Sequence, residues 1–294
     1  MFKNIVLSLS LLLFVCGCFT PSFDKFATQP KDIVGYGVDS SWMWQDASAL
    51  GNVMVKAGVN TTSIDLFGCN KTDKPEYAPI GKWGYWFDHF DDLKPYLDDF
   101  LDAMKKRKIT VSVSMIGWNY RNGYPDPQNG NKPSTICSVR FNAVWFDKVL
   151  QYFKDRGTEG IILETASEPG VRNNQCMTKF YQFNTMVASQ WGGMKSWNLN
   201  AKPTSAPPGF FIRYHPNNTA EQCPANCIVL TDGPAGAQIS GGDPLTEVKV
   251  NVATAVPYIK RLHSQGKGFI MYGWQFNGKY FDEEGIKAIG NAVK

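Results

Sequence analysis

Histidine is scarce in this 294-residue chain: three copies, at positions 89, 215 and 263. None stands at zinc-ligand spacing from a cysteine or another histidine, so neither a metal nor any other cofactor is expected. Runs of like charge are missing as well. Lys and Arg total 30 against 26 Asp and Glu, a formal net charge of +4, and the basic residues are scattered, which removes the case for a nucleic-acid partner. There is no mid-chain linker, no repeat of solenoid period and no low-complexity segment beyond a short polar stretch near the N-terminus. The longest apolar run, Ile5 to Val15, is too short to span a bilayer comfortably. What is present is core-forming material, 43% hydrophobic and 14% aromatic, enough to bury one large domain.

The apolar run follows Lys3 and is built like the h-region of a secretory signal. It ends V-C-G-C at Val15 to Cys18, which resembles the bacterial lipobox. That resemblance implies cleavage after Gly17 and lipidation of Cys18; the alternative is an ordinary signal with incidental cysteines. Phe19 stands where an Asp would imply inner-membrane retention, so an exported protein anchored at the outer membrane or cell surface is expected, otherwise a secreted one. The chain then divides into a signal peptide (1–17), a tether (18–31) and a single domain (32–294), expected to be monomeric and to meet a membrane through the lipid alone. Five cysteines remain, Cys69, Cys137, Cys176, Cys223 and Cys227. Export makes disulfides the default for them, and the odd count leaves the pairing open.

Along the domain, strand-like and helix-like segments alternate. Ile33 to Asp39 reads as a first strand and is followed by a helix to Ala57; Asn60 to Leu66, rich in β-branched residues, reads as a second. Phe90, Leu93, Leu97, Phe100, Leu101 and Met104 keep a 3.6-residue rhythm, with Asp91, Lys94, Asp98 and Lys105 off the stripe. That helix leads into T-V-S-V-S-M-I at Thr110 to Ile116. A helix over 142–156 hands over through Gly157 to the next strand. Further on, 176–194 reads as helix, 198–208 as holding a short fifth strand at most, Gly209 to Tyr214 and Cys227 to Thr231 as strands, 246–265 as helix, Phe269 to Phe276 as a last strand and 282–293 as a closing helix. The longer loops follow the strands, the asymmetry of a (β/α)8 barrel whose C-terminal face carries function. The fold expected is therefore α/β, a (β/α)8 TIM barrel with an abbreviated fifth βα unit.

Chemistry concentrates in G-I-I-L-E-T-A-S-E-P-G, Gly160 to Gly170, an apolar strand with two acids at its C-terminal end. The spacing E-x-x-S-E-P resembles the E-x-x-N-E-P that closes the fourth strand of clan A glycoside hydrolases, the family five cellulases and mannanases in particular, with Ser167 in place of the Asn. The passage from the helix ending in Lys105 to the strand at Thr110, the R-Y-H-P at Arg213 to Pro216 and the Gly273-Trp274 pair resemble further segments of that family. The resemblance implies that Glu168 is the proton donor and Glu164 a buried acid bracing the strand end. It places the second catalytic carboxylate at the end of strand seven, where this chain has Asp232 in I-V-L-T-D-G instead of a Glu. Asp is one methylene shorter, which moves its oxygens back by roughly 1.5 Å and pushes the pair toward the wider spacing of inverting enzymes.

Two further departures stand out: the family's Arg at the end of strand two and His at the end of strand three are replaced by Asp65-Leu66 and Gly117-Trp118-Asn119. Arg213, Tyr214, His215 and Asn119 are the candidates to take over. Sugar rings stack their apolar C–H faces on flat side chains, so Trp42, Trp118 and Trp274, each after an expected strand, join Asn119, Tyr214, His215, Glu164 and Asp39 as candidate substrate contacts. Trp83, Trp86, Tyr120 and Tyr124 lie in loops of the same side, whereas Trp145, Trp191 and Trp197 read as core. Two functions follow: a glycoside hydrolase acting on a β-linked polysaccharide or oligosaccharide through Glu168 and Asp232, or an inactive barrel that keeps the aromatic cleft and binds glycan without cutting it.

Overall fold

The computed structural model describes residues 22–38, 46–66, 90–115, 124–126, 132–134, 139–165, 184–199, 206, 208–214, 223–224, 227–231, 252–272 and 282–294. Eight parallel strands close on themselves: β1 (Val34–Gly37), β2 (Thr61–Asp65), β3 (Thr110–Ser114), β4 (Ile161–Glu164), β5 (Met194–Leu199), β6 (Phe211–Tyr214), β7 (Ile228–Thr231) and β8 (Gly268–Tyr272). Each strand pairs with its sequence neighbour, and β8 returns to β1 with Val34 opposite Phe269 and Gly37 opposite Tyr272. Outside them run α1 (Ala47–Ala57), α2 (Phe90–Lys106), α3 (Val139–Arg156), α4 (184–190), α5 (Val252–Ser264) and α6 (Glu283–Asn291). The fold is the expected (β/α)8 barrel. Between β5, β6 and β7 no helix occurs among the described residues, and a small antiparallel ribbon, Tyr124–Asp126 with Lys132–Ser134, follows β3.

Local chemistry accounts for the elements. Asp46 caps α1 by accepting from the Ala49 N–H at 2.9 Å, and Gly58, at φ 88°, ends it in the left-handed conformation that a glycine adopts without penalty. In α2 the stripe foreseen from the sequence is buried at Phe90, Leu97, Phe100, Leu101 and Met104. Asp282 caps α6 through the Gly285 N–H at 2.9 Å. Its own backbone N–H donates to the Tyr36 hydroxyl at 3.2 Å, which ties the last helix to the first strand. At Gly35 a Cβ would meet the Ile270 side chain at 2.6 Å and the Phe269 carbonyl at 2.9 Å, so this glycine sets how closely β1 and β8 approach.

One expectation is corrected. The fifth strand is neither short nor within 198–208: it begins at Met194 and runs six residues, taking the end of the segment read as helix. Trp191, just before it, donates its indole N–H to the Met194 carbonyl at 2.9 Å. Trp197 sits in the strand itself, buried edge-on against Phe210 with ring centroids 6.0 Å apart. Residues 22–31, read from the sequence as part of a tether, are packed on the barrel. From residue 22 the chain packs across the N-terminal end of the barrel, with Phe26 and Ala27 buried. The Phe23 N–H donates to the Arg107 carbonyl at 2.9 Å and the Ala27 N–H to the Thr110 hydroxyl at 3.0 Å.

Candidate active site

Strand side chains alternate between two faces, and in this barrel the inward set changes character with height. Lower down it is apolar: Ile33, Ile162, Ile228 and Ile270 form one buried cluster with Ala27, and Met194 and Phe211 pack against it. One alternation further along β4 and β6, Ile162 gives way to Glu164 and Phe211 to Arg213. Asp65, Ser114, Glu164 and Ser196 share one register row across β2, β3, β4 and β5. Barrel interiors at this level are ordinarily filled by Val, Ile and Leu.

The polar layer is a single network. Arg213 reaches from β6 to Glu164 on β4, Nη1 to Oε1 at 3.0 Å, with no solvent exposure of the arginine side chain and 1% for the glutamate. The same Nη1 donates to Ser112 Oγ at 3.1 Å and to Ser114 Oγ at 3.5 Å, and Nη2 donates to Ser63 Oγ at 3.0 Å. The Ser114 hydroxyl donates to Glu164 Oε1 at 2.6 Å and the Ser196 hydroxyl to Oε2 at 3.1 Å. Five strands, β2 to β6, are thereby joined through one buried ion pair. Serines matter here because a larger residue at 63, 112 or 114 would occupy the path of the guanidinium. Just past β4, the buried Thr165 and Asn184 side chains hydrogen-bond at 2.7 Å, linking the strand end to the start of α4.

Glu164 is accordingly engaged on both oxygens and closed to solvent. Its two candidate roles from the sequence are a brace for the strand end and a substrate contact; in the structure its oxygens are held by Ser114, Ser196 and Arg213. Tyr214 closes β6, opposite Leu199 and Val229 in register. Glu168, Asp232, Trp42, Trp118, Asn119, His215, Trp274, Asp39 and Cys18 lie outside the described residues, as do Trp83, Trp86, Cys69, Cys137 and Cys176. By sequence, Asp232 follows directly on Thr231, the last residue of β7, and Glu168 comes four residues after Glu164, the last of β4. Cys223 and Cys227 are brought together just ahead of β7, their Cα atoms 6.1 Å apart.

The sequence reading named Arg213 only as a candidate substitute and did not see the serine ring. A signal was available in T-V-S-V-S, where hydroxyl residues recur at every second position of a strand that should turn that face into an apolar barrel. Among the described residues no cluster of His, Cys, Asp and Glu could hold a metal ion, and no helix is long and apolar enough to cross a membrane.

No family model matches the sequence, and no curated protein matches it. Among solved structures the chain is similar to a glycoside hydrolase family 5 protein from Bacteroides vulgatus, at 14% identity and a TM-score of 0.50, covering 85% of this chain and 64% of that one. The chain thus spans just under two thirds of that protein's length. It is also similar to a family 30 endoxylanase from Clostridium papyrosolvens (11% identity, TM-score 0.53, 92% of this chain and 74% of that one). A third similar structure is a broad-specificity family 5 endoglucanase from an uncultured bacterium (11%, 0.53, 93% and 97%). At these identities the likeness is one of fold, the closed (β/α)8 barrel.

Proposed function

We propose that this protein is a divergent clan A glycoside hydrolase that cleaves a β-linked polysaccharide or oligosaccharide with two carboxylates. Glu168 acts as general acid and Asp232 as nucleophile or general base. The observation that carries the reading is the buried Glu164–Arg213 pair at the end of β4. It fixes the strand from which E-T-A-S-E-P continues to Glu168, within a barrel of the kind used by the xylan- and glucan-cleaving enzymes it resembles. Glycoside cleavage needs a protonated carboxyl at the leaving oxygen and a carboxylate facing the anomeric carbon or a water. The ends of β4 and β7 are the places from which a barrel presents two such groups to one cleft. Trp42, Trp118 and Trp274, with Asn119, Tyr214, His215 and Asp39, supply stacking and hydroxyl contacts in this reading.

Glycan binding without cleavage is the second reading, favoured by two departures: Asp232 in place of a Glu and Ser167 in place of an Asn. Export with a lipid on Cys18 belongs to the same proposal. The segment from residue 22 to Asp32 closes the N-terminal end of the barrel, so an anchor a few residues upstream leaves the strand-end face turned away from the membrane. The test is a panel of polysaccharides assayed on the same samples for reducing ends and for binding. Sugar release selects the hydrolase, binding without release selects the inactive barrel, and neither result on any glycan refutes both.

A further inference from the structure

The Glu164–Arg213 pair poses a question that packing does not answer. One layer down the same two strands use Ile162 and Phe211, and replacing a buried ion pair by apolar residues of similar size is often neutral or stabilising. What a buried pair provides and an apolar pair does not is a fixed electrostatic field. Arg213 keeps its charge at any working pH. Alone beneath the strand ends it would favour the ionised form of every carboxylate there, a general acid included. Glu164, held by Ser114, Ser196 and Arg213 itself, cancels that charge in place.

We infer that Arg213 and Glu164 are positioning residues for Glu168: together they fix the end of β4 from five strands, and their mutual neutrality lets Glu168 retain a proton. The inference rests on the reading of Glu168 as general acid. Asp39, Asp65, His215 and Asp232 also stand at or just beyond strand ends by sequence, and Ser63, Ser112, Ser114 and Ser196 surround the pair itself. The fields of the four titratable groups are common to wild type and variants, so the difference between titrations reads the pair.

The experiment is a carboxyl-carbon NMR titration of the full chain labelled in glutamate, with the Glu168 resonance identified by its loss in Glu168→Gln. In Glu164→Gln the Arg213 charge is left uncompensated. Glu168 is four residues along the chain from Glu164, a separation of at most roughly 14 Å, and one charge within that distance at an effective dielectric near 20 lowers the Glu168 midpoint by about one pH unit or more. In the double variant Glu164→Gln/Arg213→Met no lone charge remains, and the midpoint stays within about 0.3 unit of wild type on the same reasoning. A single-variant midpoint that does not move overturns the inference. A full-unit move in the double variant overturns it as well, and that variant remains informative if the single one does not fold. Sugar release, assayed alongside, separates the two levels. Midpoints that shift without hydrolysis refute the hydrolase reading and leave the pair's control of Glu168 standing; hydrolysis with unmoved midpoints does the reverse.

Discussion

Arg213 and Glu164 face each other at 3.0 Å across the barrel and out of contact with water, Arg213 also bonded to serines of β2 and β3 and Glu164 to serines of β3 and β5. The pair makes the upper barrel a cooperative unit, because removing either partner leaves the other charged, buried and short of its main counter-charge.

Breaking the pair and deleting it should therefore differ. Arg213→Met alone is expected to cost about 3–5 kcal/mol, the usual penalty for stranding a buried charge, whereas the double variant Arg213→Met/Glu164→Gln should lie within about 1–2 kcal/mol of wild type. Urea unfolding of the three proteins measures the difference. Equal losses in the single and double variants would mean that the network is not coupled.

The N-terminal segment gives a second prediction. A Cβ at Gly268 would lie 1.9 Å from the Pro30 carbonyl oxygen, which forces backbone apart, since no flexible side chain is there to yield. Gly268→Ala should detach the segment from the barrel floor. Faster hydrogen exchange at the Ala27 amide, now bonded to Thr110, would report it. Gly157→Ala, at φ 87° with nothing within 4 Å, should cost only the left-handed backbone strain, about 1–2 kcal/mol, and leave the segment in place.

Two tyrosines set an alkaline limit. Burial pushes the Tyr36 hydroxyl far above its ordinary value near 10. Burial, followed by its bond to Asp98 at 2.7 Å, does the same to Tyr152 between α2 and α3. A folded-state pKa raised in this way contributes stability that is complete below the unfolded value and is lost as pH rises above it. Stability should thus fall from about pH 10 upward, with a slope of at most about 1.4 kcal/mol per pH unit for each tyrosine. Thermal unfolding between pH 8 and 11 tests this, and Tyr152→Phe should make the slope shallower. A slope unchanged in that variant would contradict the assignment.

Much of the barrel was legible because its signals are local. The α2 stripe, the hand-over through Gly157 into β4 and the β-branched run of β2 each depend on neighbours a few residues away. Where the meaning of a residue lies far along the chain, the reading failed. M-K-S-W-N-L lacks the β-branched alternation of its neighbours and becomes β5 through pairing with β4 and β6. Phe23, Phe26 and Ala27 look like sparse apolar residues in a polar stretch until Arg107 and Thr110 are folded beside them. The serines of β2 and β3 acquire their function only from Arg213, 101 positions beyond Ser112. The candidate site divides in the same way: the E-x-x-S-E-P spacing is local, whereas the contact of Arg213 with Glu164 joins residues far apart in the chain.

The most direct test of the account is the rate of glycan hydrolysis by Glu168→Gln. The substitution keeps shape and hydrogen bonding while deleting the proton, and general acid catalysis is typically worth about 10²–10⁴-fold. Hydrolysis should fall by that order with glycan affinity near wild type, and an activated substrate whose leaving group needs no proton should be partly spared. Hydrolysis left untouched by Glu168→Gln, or a variant that no longer folds, would make Glu168 a structural acid and contradict the function proposed for this barrel.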